Sequence, residues 1–293
     1  MCRLLAAHAV GRGLEILVGL TSALVEAAAG DPLLARLTGG DGRHCHGWGF
    51  AVASRRGGSW LVAHGRFDAH APGVSGEESC MANLESARRL PGLVEGLLEG
   101  SEEAFLVAHV RRAGRREPRG TLHAHPYREL AHTPRGPVEV YLAHNGGVEK
   151  EPLAAELGVD AEEYSDSGLL AAAITSRIAR GIDVAEALEW GLRLAKSGYV
   201  VALLTAPSRG DPELHVAAAA SCSILEDEDR LEYYKPYKLV GEGLSAIASS
   251  TLARLAVERG LPVEADPVEP RDWGVYEVKA PHAPRPVSRM PCV

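Results

Sequence analysis

The chain has 293 residues, of which 46% are hydrophobic and 24% are charged. This balance is typical of a soluble globular protein with a sizeable core. The formal net charge of −8 argues against nucleic-acid binding, because attraction to phosphates dominates that affinity. No stretch approaches the roughly 18 uninterrupted apolar residues of a membrane span, and the start lacks the features of a secretory signal. We therefore predict a cytoplasmic protein that binds neither nucleic acid nor membrane.

Five cysteines are scattered along the chain, and no two form a C-x-x-C pair. An odd number at irregular spacings favours neither a disulfide framework nor a zinc ribbon. We expect most of them to be small core or surface residues. His44, Cys45 and His46 are weak candidates for metal ligands, since no second pair lies at a standard zinc spacing. The sequence thus predicts no metal site and no cofactor.

In the first half of the chain, apolar runs, periodicity and turn residues predict strands and helices in alternation. A polar, glycine-rich loop is expected over 39–47, and a long loop rich in Arg, His and Pro over 111–137. The predicted elements are a buried strand over 4–10, helical structure over 14–37 with a break at Gly30-Asp31-Pro32, a hairpin of strands over 48–53 and 59–64, a helix over 83–98 and a buried strand over 105–110.

In the second half, strands and paired helices continue to alternate without regular βαβ spacing, which favours an α+β fold with antiparallel sheets. We find no repeat or internal linker and predict one domain over 1–280, followed by a loose Pro-rich tail over 281–293. The predicted elements are a strand over 138–143, helices over 165–180, 184–196 and 252–259, a hairpin of strands over 199–205 and 214–220, and strands over 238–249 and 275–279.

The chain begins Met1-Cys2-Arg3. If an aminopeptidase removes Met1, Cys2 carries a thiol and a free α-amine on the same carbon. An α-amine has an ordinary pKa of about 7.7–8.0 and can act as general base for its own side chain. A cysteine at position two can also arise by chance. The start therefore acquires meaning only if the chain also supplies an oxyanion hole and a substrate clamp.

Three later segments could supply these parts. The strand before Arg111 and Arg112 places guanidinium groups at the end of a sheet, where Arg can bind a carboxylate with two hydrogen bonds. The alternative is a solvated basic loop, which also leaves a faint possibility of RNA binding. Asn145-Gly146 is typical of a hairpin turn with positive φ. Alternatively, the Asn145 amide and the Gly146 N–H form an oxyanion hole.

The third segment is Ser165-Asp166, which precedes an apolar helix. Ser165 is a plausible N-cap, and capping alone would explain the pair. In the functional alternative, the Asp166 carboxylate pairs with the ammonium group of a substrate.

Taken together and in this order, the Cys2 start, His109-x-Arg111-Arg112, His144-Asn145-Gly146 and Ser165-Asp166 resemble the class II glutamine amidotransferase domains of the N-terminal nucleophile hydrolase superfamily. Three segments, Met1-Cys2-Arg3-Leu4-Leu5, Gly47-Trp48-Gly49 and 125–129, are similar to the stand-alone proteins of this class, which include the γ-glutamyl hydrolase of ergothioneine biosynthesis. The resemblance covers roughly residues 2 to 250.

The resemblance implies a four-layer αββα sandwich, with two antiparallel sheets between helical layers. It implies that Cys2 is the nucleophile, that Asn145 and Gly146 form the oxyanion hole, and that Arg111 and Asp166 hold the α-carboxylate and the α-amine of the substrate. The expected reaction is hydrolysis of glutamine or a γ-glutamyl amide through a Cys2 thioester. The expected partners are this small-molecule substrate and, if ammonia is passed on, a separate acceptor enzyme.

The sequence departs from this family at three places. Arg3 stands where the family usually has the Gly of a Cys-Gly start. His46 stands where the family commonly has the Asp of Asp-Gly-Trp-Gly. Arg112-Ala113-Gly114-Arg115 replaces Trp-Ala-Thr-His-Gly, whose Thr and His line the donor pocket. The donor can therefore differ from plain glutamine. Two other functions stay open, an N-terminal nucleophile acylase acting on a non-glutamyl amide and a non-catalytic binding or regulatory module.

Overall fold

The strand that begins at Cys2 is buried on both faces, as its apolar run predicts. The structure is a computed structural model that describes residues 2–114 and 117–289. Leu5 and Ala7 pack under a layer of helices, whereas Leu4 and Ala6 face a second sheet. Because successive side chains of a strand point to opposite faces, one strand here contributes to two cores.

The described residues form thirteen strands, and all their pairings are antiparallel. In chain order they are β1 (Cys2–Val10), β2 (Trp48–Arg56), β3 (Ser59–Phe67), β4 (Glu103–Arg111), β5 (Tyr127–Thr133), β6 (Gly136–Val148), β7 (Ala195–Pro207), β8 (Glu213–Ala220), β9 (Pro236–Gly241), β10 (Leu244–Ser249), β11 (Val263–Pro267), β12 (Val275–Glu277) and β13 (Arg285–Pro286).

The strands divide into a seven-stranded sheet of order β11-β9-β10-β1-β4-β2-β3 and a six-stranded sheet of order β13-β12-β8-β7-β6-β5. The strand β1 lies in the middle of the first sheet, between β10 and β4. The strand β6 lies next to the edge of the second sheet, and its residues face β1 and β4 across the interior.

Ten α-helices lie within the described residues, and three short 3₁₀ turns accompany them. The helices are α1 (Gly13–Ala29), α2 (Pro32–Thr38), α3 (Gly76–Ala87), α4 (Leu90–Leu98), α5 (Lys150–Leu157), α6 (Asp166–Ala179), α7 (Val184–Leu192), α8 (Cys222–Leu225), α9 (Glu228–Tyr234) and α10 (Ser250–Glu258).

Three apolar clusters separate these layers. One joins α1, α4 and α10 to the outer face of the first sheet. The second lies between the two sheets. The third joins α5, α6 and α7 to the outer face of the second sheet. The fold is therefore α+β with two antiparallel sheets and flanking helices, which confirms the predicted class and is consistent with a sandwich.

The helix boundaries follow from local chemistry. Asp31 caps α2 by accepting hydrogen bonds from two backbone N–H groups, and Pro32 occupies the first helical position, where its missing N–H costs nothing. Ser165 caps α6 by accepting from the N–H of Gly168, as predicted. The single helix predicted over 83–98 is wrong. It divides into α3 and α4, because Pro91 is tolerated in the first turn of a helix but not in its interior.

Two other predictions fail near the site. The long loop predicted over 111–137 contains β5, an edge strand in which only Tyr127 and Ala131 are buried, so it lacks a clear apolar signal. The strand predicted to stop at His144 continues to Val148, and no hairpin turn lies at Asn145-Gly146.

The predicted loose tail contributes β13, which pairs with β12, and residues 290–293 lie outside the described residues.

The expectation of unpaired cysteines is wrong. Cys45, in the loop before β2, forms a disulfide with Cys80 of α3, and Cys222 is disulfide-bonded as well. Among the described cysteines only Cys2 is free, and Cys292 lies outside the described residues. The Cys45–Cys80 bond joins residues 35 apart, which only tertiary packing brings together. Disulfides are rare in the cytosol outside hyperthermophiles. Cytoplasmic location stays a prediction, and the Cys45–Cys80 bond argues against it.

One stretch, Gly13–Thr38, is long and apolar enough to cross a membrane by length and composition alone. Core helices of soluble proteins meet the same criteria, and half of its most apolar window is buried in the fold. Asp31 interrupts the stretch between α1 and α2 and is itself buried in a hydrogen-bonded cluster. The stretch is therefore a weak indication of a membrane, and the fold has the character of a soluble domain.

The disulfide generates a stability prediction. Replacing Cys45, Cys80 or both with Ser should lower the free energy of unfolding by about 2–4 kcal/mol, because the unfolded chain loses its cross-link. Since either single change already breaks the bond, the double variant should be no less stable than the less stable single variant. Urea unfolding followed by circular dichroism measures this, and additive losses in the double variant would contradict a native disulfide.

Candidate functional site

Cys2 lies at the start of β1, on the face that packs against the second sheet. Its register partner on β4 is Arg111, and Leu4 is paired with His109. Because directly opposed residues of an antiparallel pair share a face, the side chains of Cys2, His109 and Arg111 all point into the space between the sheets. Cys2 is only 5% exposed. The structure therefore brings the candidate nucleophile and the candidate clamp to one end of the interior.

The backbone of Cys2 is held from two directions. Its nitrogen donates a hydrogen bond to Asn145 Oδ1 at 2.8 Å, and its carbonyl oxygen accepts one from the Tyr233 hydroxyl at 3.1 Å. Asn145 belongs to β6 of the other sheet and is itself buried. Because its oxygen accepts from Cys2, its Nδ2 group lies on the opposite side of the planar amide. The sequence prediction that Cys2 and Asn145 meet agrees with this geometry.

The thiol of Cys2 lies in an environment that favours its ionised form. Burial by itself raises the pKa, but the positive charge at the amino terminus and His109 lower it, to about 6. The backbone N–H of Arg112 also donates toward the sulfur. His109 Nε2 faces the carbonyl oxygen of His144 at 3.2 Å, and Nδ1 has no complete hydrogen bond. We therefore attribute the lowering of the Cys2 pKa by His109 mainly to their electrostatic interaction and not to a hydrogen bond.

Two further buried imidazoles lie beside His109. Burial lowers the pKa of His125 well below its ordinary value and lowers that of His144 to about 4. The ring of His125 is 4.2 Å from that of His109, and His144 Nδ1 contacts the Ser167 hydroxyl at 2.9 Å. Both rings are consequently neutral near pH 7, and they add no positive charge behind the thiol.

Gly146 occupies a position that only glycine can fill. Its φ is +152°, and β6 has a bulge between Gly146 and Val148. A Cβ atom at Gly146 would lie 1.9 Å from the carbonyl oxygen of Gly198 on β7. Gly198 is itself covered by the ring of Tyr234, 2.1 Å from where its Cβ would be. Two successive close approaches thus fix the backbone beside Asn145.

Arg111 is buried at the end of β4. Its Nη1 donates to the carbonyl oxygen of Pro118 at 3.0 Å. Its backbone is bonded on both sides to the segment before β2, through the carbonyl of Gly47 and the N–H of His46. The loop held by the Cys45 disulfide thus fixes the backbone of Arg111. Arg115 and Arg116 of the predicted basic loop lie outside the described residues.

Asp166 is the first residue of α6. Its Oδ1 accepts from the Ser167 N–H at 2.6 Å, and its Oδ2 accepts from the Val148 N–H at 3.2 Å. Asp166 therefore contacts the strand just beyond Asn145-Gly146 and not Cys2 itself. Its own N–H donates to Glu117 Oε2 at 3.3 Å.

Glu117 is a charged residue of this corner that sequence reasoning missed. Burial and the nearby Asp166 raise its pKa, whereas Lys150 and Arg111 oppose that shift. Lys150 Nζ lies 4.0 Å from Glu117 Oε1. A single acid in a basic, irregular segment carries no local signal, so only the folded chain reveals it.

Cys2, Asn145 and Arg111 thus meet at one end of the space between the sheets, and Asp166 contacts β6 at Val148, just beyond Gly146. Two cavities, of about 570 and 680 Å³, open elsewhere, at the β5–β6 and β7–β8 turns and between α1 and α4. Cys2 lines neither of these cavities within the described residues.

The weak metal candidates do not come together. His44 contacts Asp31, and Cys45 is in the disulfide. Across residues 2–114 and 117–289, no group of three or more His, Cys, Asp or Glu side chains is placed to hold a metal ion.

Comparison of the sequence with protein-family models gives no match, and comparison with curated proteins gives no significant one.

The environment of the thiol generates a pH prediction. Because the pKa of Cys2 is lowered to about 6, the reactive thiolate should be present above pH 6 and lost below it. Alkylation of Cys2 by iodoacetamide, located by peptide mass mapping, should have its midpoint near pH 6. His109→Gln should move the midpoint upward, with Cys2→Ala as the unlabelled blank. A wild-type midpoint near that of an ordinary thiol, about 8.5, would contradict this account.

Proposed function

We propose that this protein is an N-terminal nucleophile amidohydrolase of the class II glutamine amidotransferase type, which hydrolyses glutamine or a γ-glutamyl amide. The observation that carries the proposal is the 2.8 Å hydrogen bond between the Cys2 nitrogen and Asn145 Oδ1. It joins the candidate nucleophile, at the start of one sheet, to the candidate oxyanion donor on the other. His109, which lowers the pKa of the thiol whether or not Met1 is present, supports the same assignment.

The mechanism requires removal of Met1, which lies outside the described residues. The α-amine of Cys2 then takes the thiol proton, and the sulfur attacks the γ-carbonyl carbon. Asn145 Nδ2 and the Gly146 N–H stabilise the oxyanion. When the C–N bond breaks, the proton passes to the departing ammonia or amine, and a γ-glutamyl thioester remains. Water cleaves the thioester, which releases a carboxylic acid and restores the thiol.

The charges of the corner fit a substrate with an amino-acid head group. Arg111 offers a guanidinium for the α-carboxylate, and Asp166 offers a carboxylate for the α-ammonium. In this structure the Arg111 guanidinium is bonded to the Pro118 carbonyl, so a substrate carboxylate has to displace or share that bond. Glu117 supplies a second negative charge beside Asp166 and can strengthen selection for an ammonium group.

The acylase alternative retains one supporting observation. The Pro118 carbonyl already accepts a hydrogen bond from Arg111 Nη1, and the carboxyl group of Glu117 interacts electrostatically with Arg111 as well as with Asp166. A neutral acyl group would suffer from neither feature. Turnover of non-glutamyl amides together with weak labelling by a glutamine-like diazoketone would favour the acylase, and Met1 retained in the native protein would favour a non-catalytic module.

The nucleophile and the oxyanion donor are tested by release of ammonia from glutamine and of amine from γ-glutamyl amides. Cys2→Ala should abolish release. Asn145→Ala should lower kcat by about 10²–10³-fold, the usual cost of losing one oxyanion donor. Urea unfolding of each variant shows whether the fold is kept. Equal release by wild type and by Cys2→Ala would refute the mechanism.

The two clamps are tested through KM. Arg111→Lys and Asp166→Asn should each raise KM by about tenfold or more, because the first loses the two-bond guanidinium contact to a carboxylate and the second loses the negative charge that faces an ammonium group. Arg55→Lys and Asp160→Asn are matched controls away from Cys2. Arg55 lies near the end of β2 in an ion pair with Glu103, and Asp160 caps a 3₁₀ turn. A KM unchanged by the clamp variants would exclude recognition of an amino-acid head group by Arg111 and Asp166.

A further inference from the structure

A buried ion pair lies directly behind the nucleophile. Arg3 and Asp31 are both fully buried, and Arg3 Nε donates to Asp31 Oδ2 at 2.5 Å. His44 Nε2 contacts the same oxygen at 2.8 Å, and the Thr251 hydroxyl donates to Oδ1 at 2.7 Å. Burial opposes ionisation of Asp31, but the bonds from His44 and Arg3 hold its pKa well below the ordinary value. Arg3 is the residue that replaces the glycine of the usual Cys-Gly start.

The guanidinium of Arg3 reaches beyond Asp31 to Tyr233. Its Nη1 donates to the Tyr233 carbonyl oxygen at 2.9 Å, and its central carbon lies 3.9 Å from the centre of the Tyr233 ring. Tyr233 is therefore held through its backbone and its ring at once. A buried Arg is costly unless its donors are satisfied, and here Asp31, Tyr233 and Thr251 all accept from it.

The other end of Tyr233 points at the nucleophile. Its hydroxyl donates to the carbonyl oxygen of Cys2 at 3.1 Å. Pairing between β1 and β10 begins only at Leu5, so the first residues of β1 lack that neighbour. Side chains take its place, because Ser249 Oγ accepts from the Leu4 N–H at 2.9 Å and Tyr233 donates to Cys2.

We propose that Tyr233 is a positioning residue that, together with Asn145, fixes the backbone of Cys2 for catalysis, and that the Arg3–Asp31–His44 cluster holds Tyr233 in place. This inference rests on the proposed function. A residue at the end of a strand frays unless it is tied down, and a reacting group has to be held within about 0.5 Å of its productive position. Asn145 holds the nitrogen of Cys2 and Tyr233 holds its carbonyl, so the amine and the thiol keep one relative geometry.

The test compares two tyrosines of the same chemistry. Tyr233→Phe removes the hydroxyl that reaches Cys2. Tyr276→Phe is the matched control. Tyr276 lies on β12, at the far side of the second sheet, and is as buried as Tyr233. Its hydroxyl likewise donates to a backbone carbonyl, that of Asp272. Loss of one hydrogen bond should cost both variants a similar, modest amount of stability.

For Tyr233→Phe, we expect kcat for the best γ-glutamyl amide to fall about tenfold while KM changes less than about twofold, because substrate binding is kept and positioning is lost. Tyr276→Phe should leave both constants within about twofold of wild type. Wild-type kcat in Tyr233→Phe, or an equal fall in both variants, would overturn the proposal.

A second readout does not depend on turnover. Titratable groups close to the thiol include His109, Tyr233 and Tyr234. Looser placement of Cys2 relative to His109 should raise the pH midpoint of its alkylation by iodoacetamide by about 0.5 pH unit or more in Tyr233→Phe but not in Tyr276→Phe. If wild type hydrolyses no amide, the proposed function fails, and this comparison alone decides the role of Tyr233. Equal midpoints in wild type and Tyr233→Phe would then refute it.

Discussion

The hydrogen bond between the nitrogen of Cys2 and the amide oxygen of Asn145 is the contact on which the site depends. Each partner belongs to the interior face of a different sheet, so the bond exists only if the two sheets pack in one register. The apolar cluster between the sheets supplies that register through side chains from β1, β4, β6 and β7. The same packing buries the thiol, and burial makes the nearby amino terminus and His109 effective in lowering its pKa.

The sequence carried much of the fold because β1, β4 and β7 are long apolar runs and because Asp31, Ser165 and Pro32 mark helix starts through local chemistry. It failed where the deciding contact is distant. The edge strand β5 shows little apolar pattern, and Asn145-Gly146 has the composition of a turn although β7 keeps it in a bulged strand. The Cys45–Cys80 disulfide depends on the packing of α3 and has no counterpart in local spacing.

The site shows the same division. Segments of recognisable order predict Cys2, Asn145, Gly146, Arg111 and Asp166. In the folded chain Cys2, Asn145 and Arg111 meet, and Asp166 contacts β6 just beyond Gly146. Glu117 and Tyr233 belong to that corner only through tertiary contacts, since nothing beside them in the sequence points to Asp166 or Cys2. The change from Cys-Gly to Cys2-Arg3 was visible in the sequence. Its physical meaning, a buried charge bonded to Asp31 and lying against Tyr233, emerges only from the packing of α2 and α9 beside β1.

The disulfide between Cys45 and Cys80 has a practical consequence for handling the protein. A cysteine nucleophile is usually protected with a thiol reagent in the storage buffer, and any reagent strong enough to keep Cys2 reduced can also attack a disulfide. Opening this one frees the segment whose His46 and Gly47 bond to the backbone of Arg111. Buffer composition thus acts in opposite directions on the Cys2 thiol and on the segment that holds the backbone of Arg111.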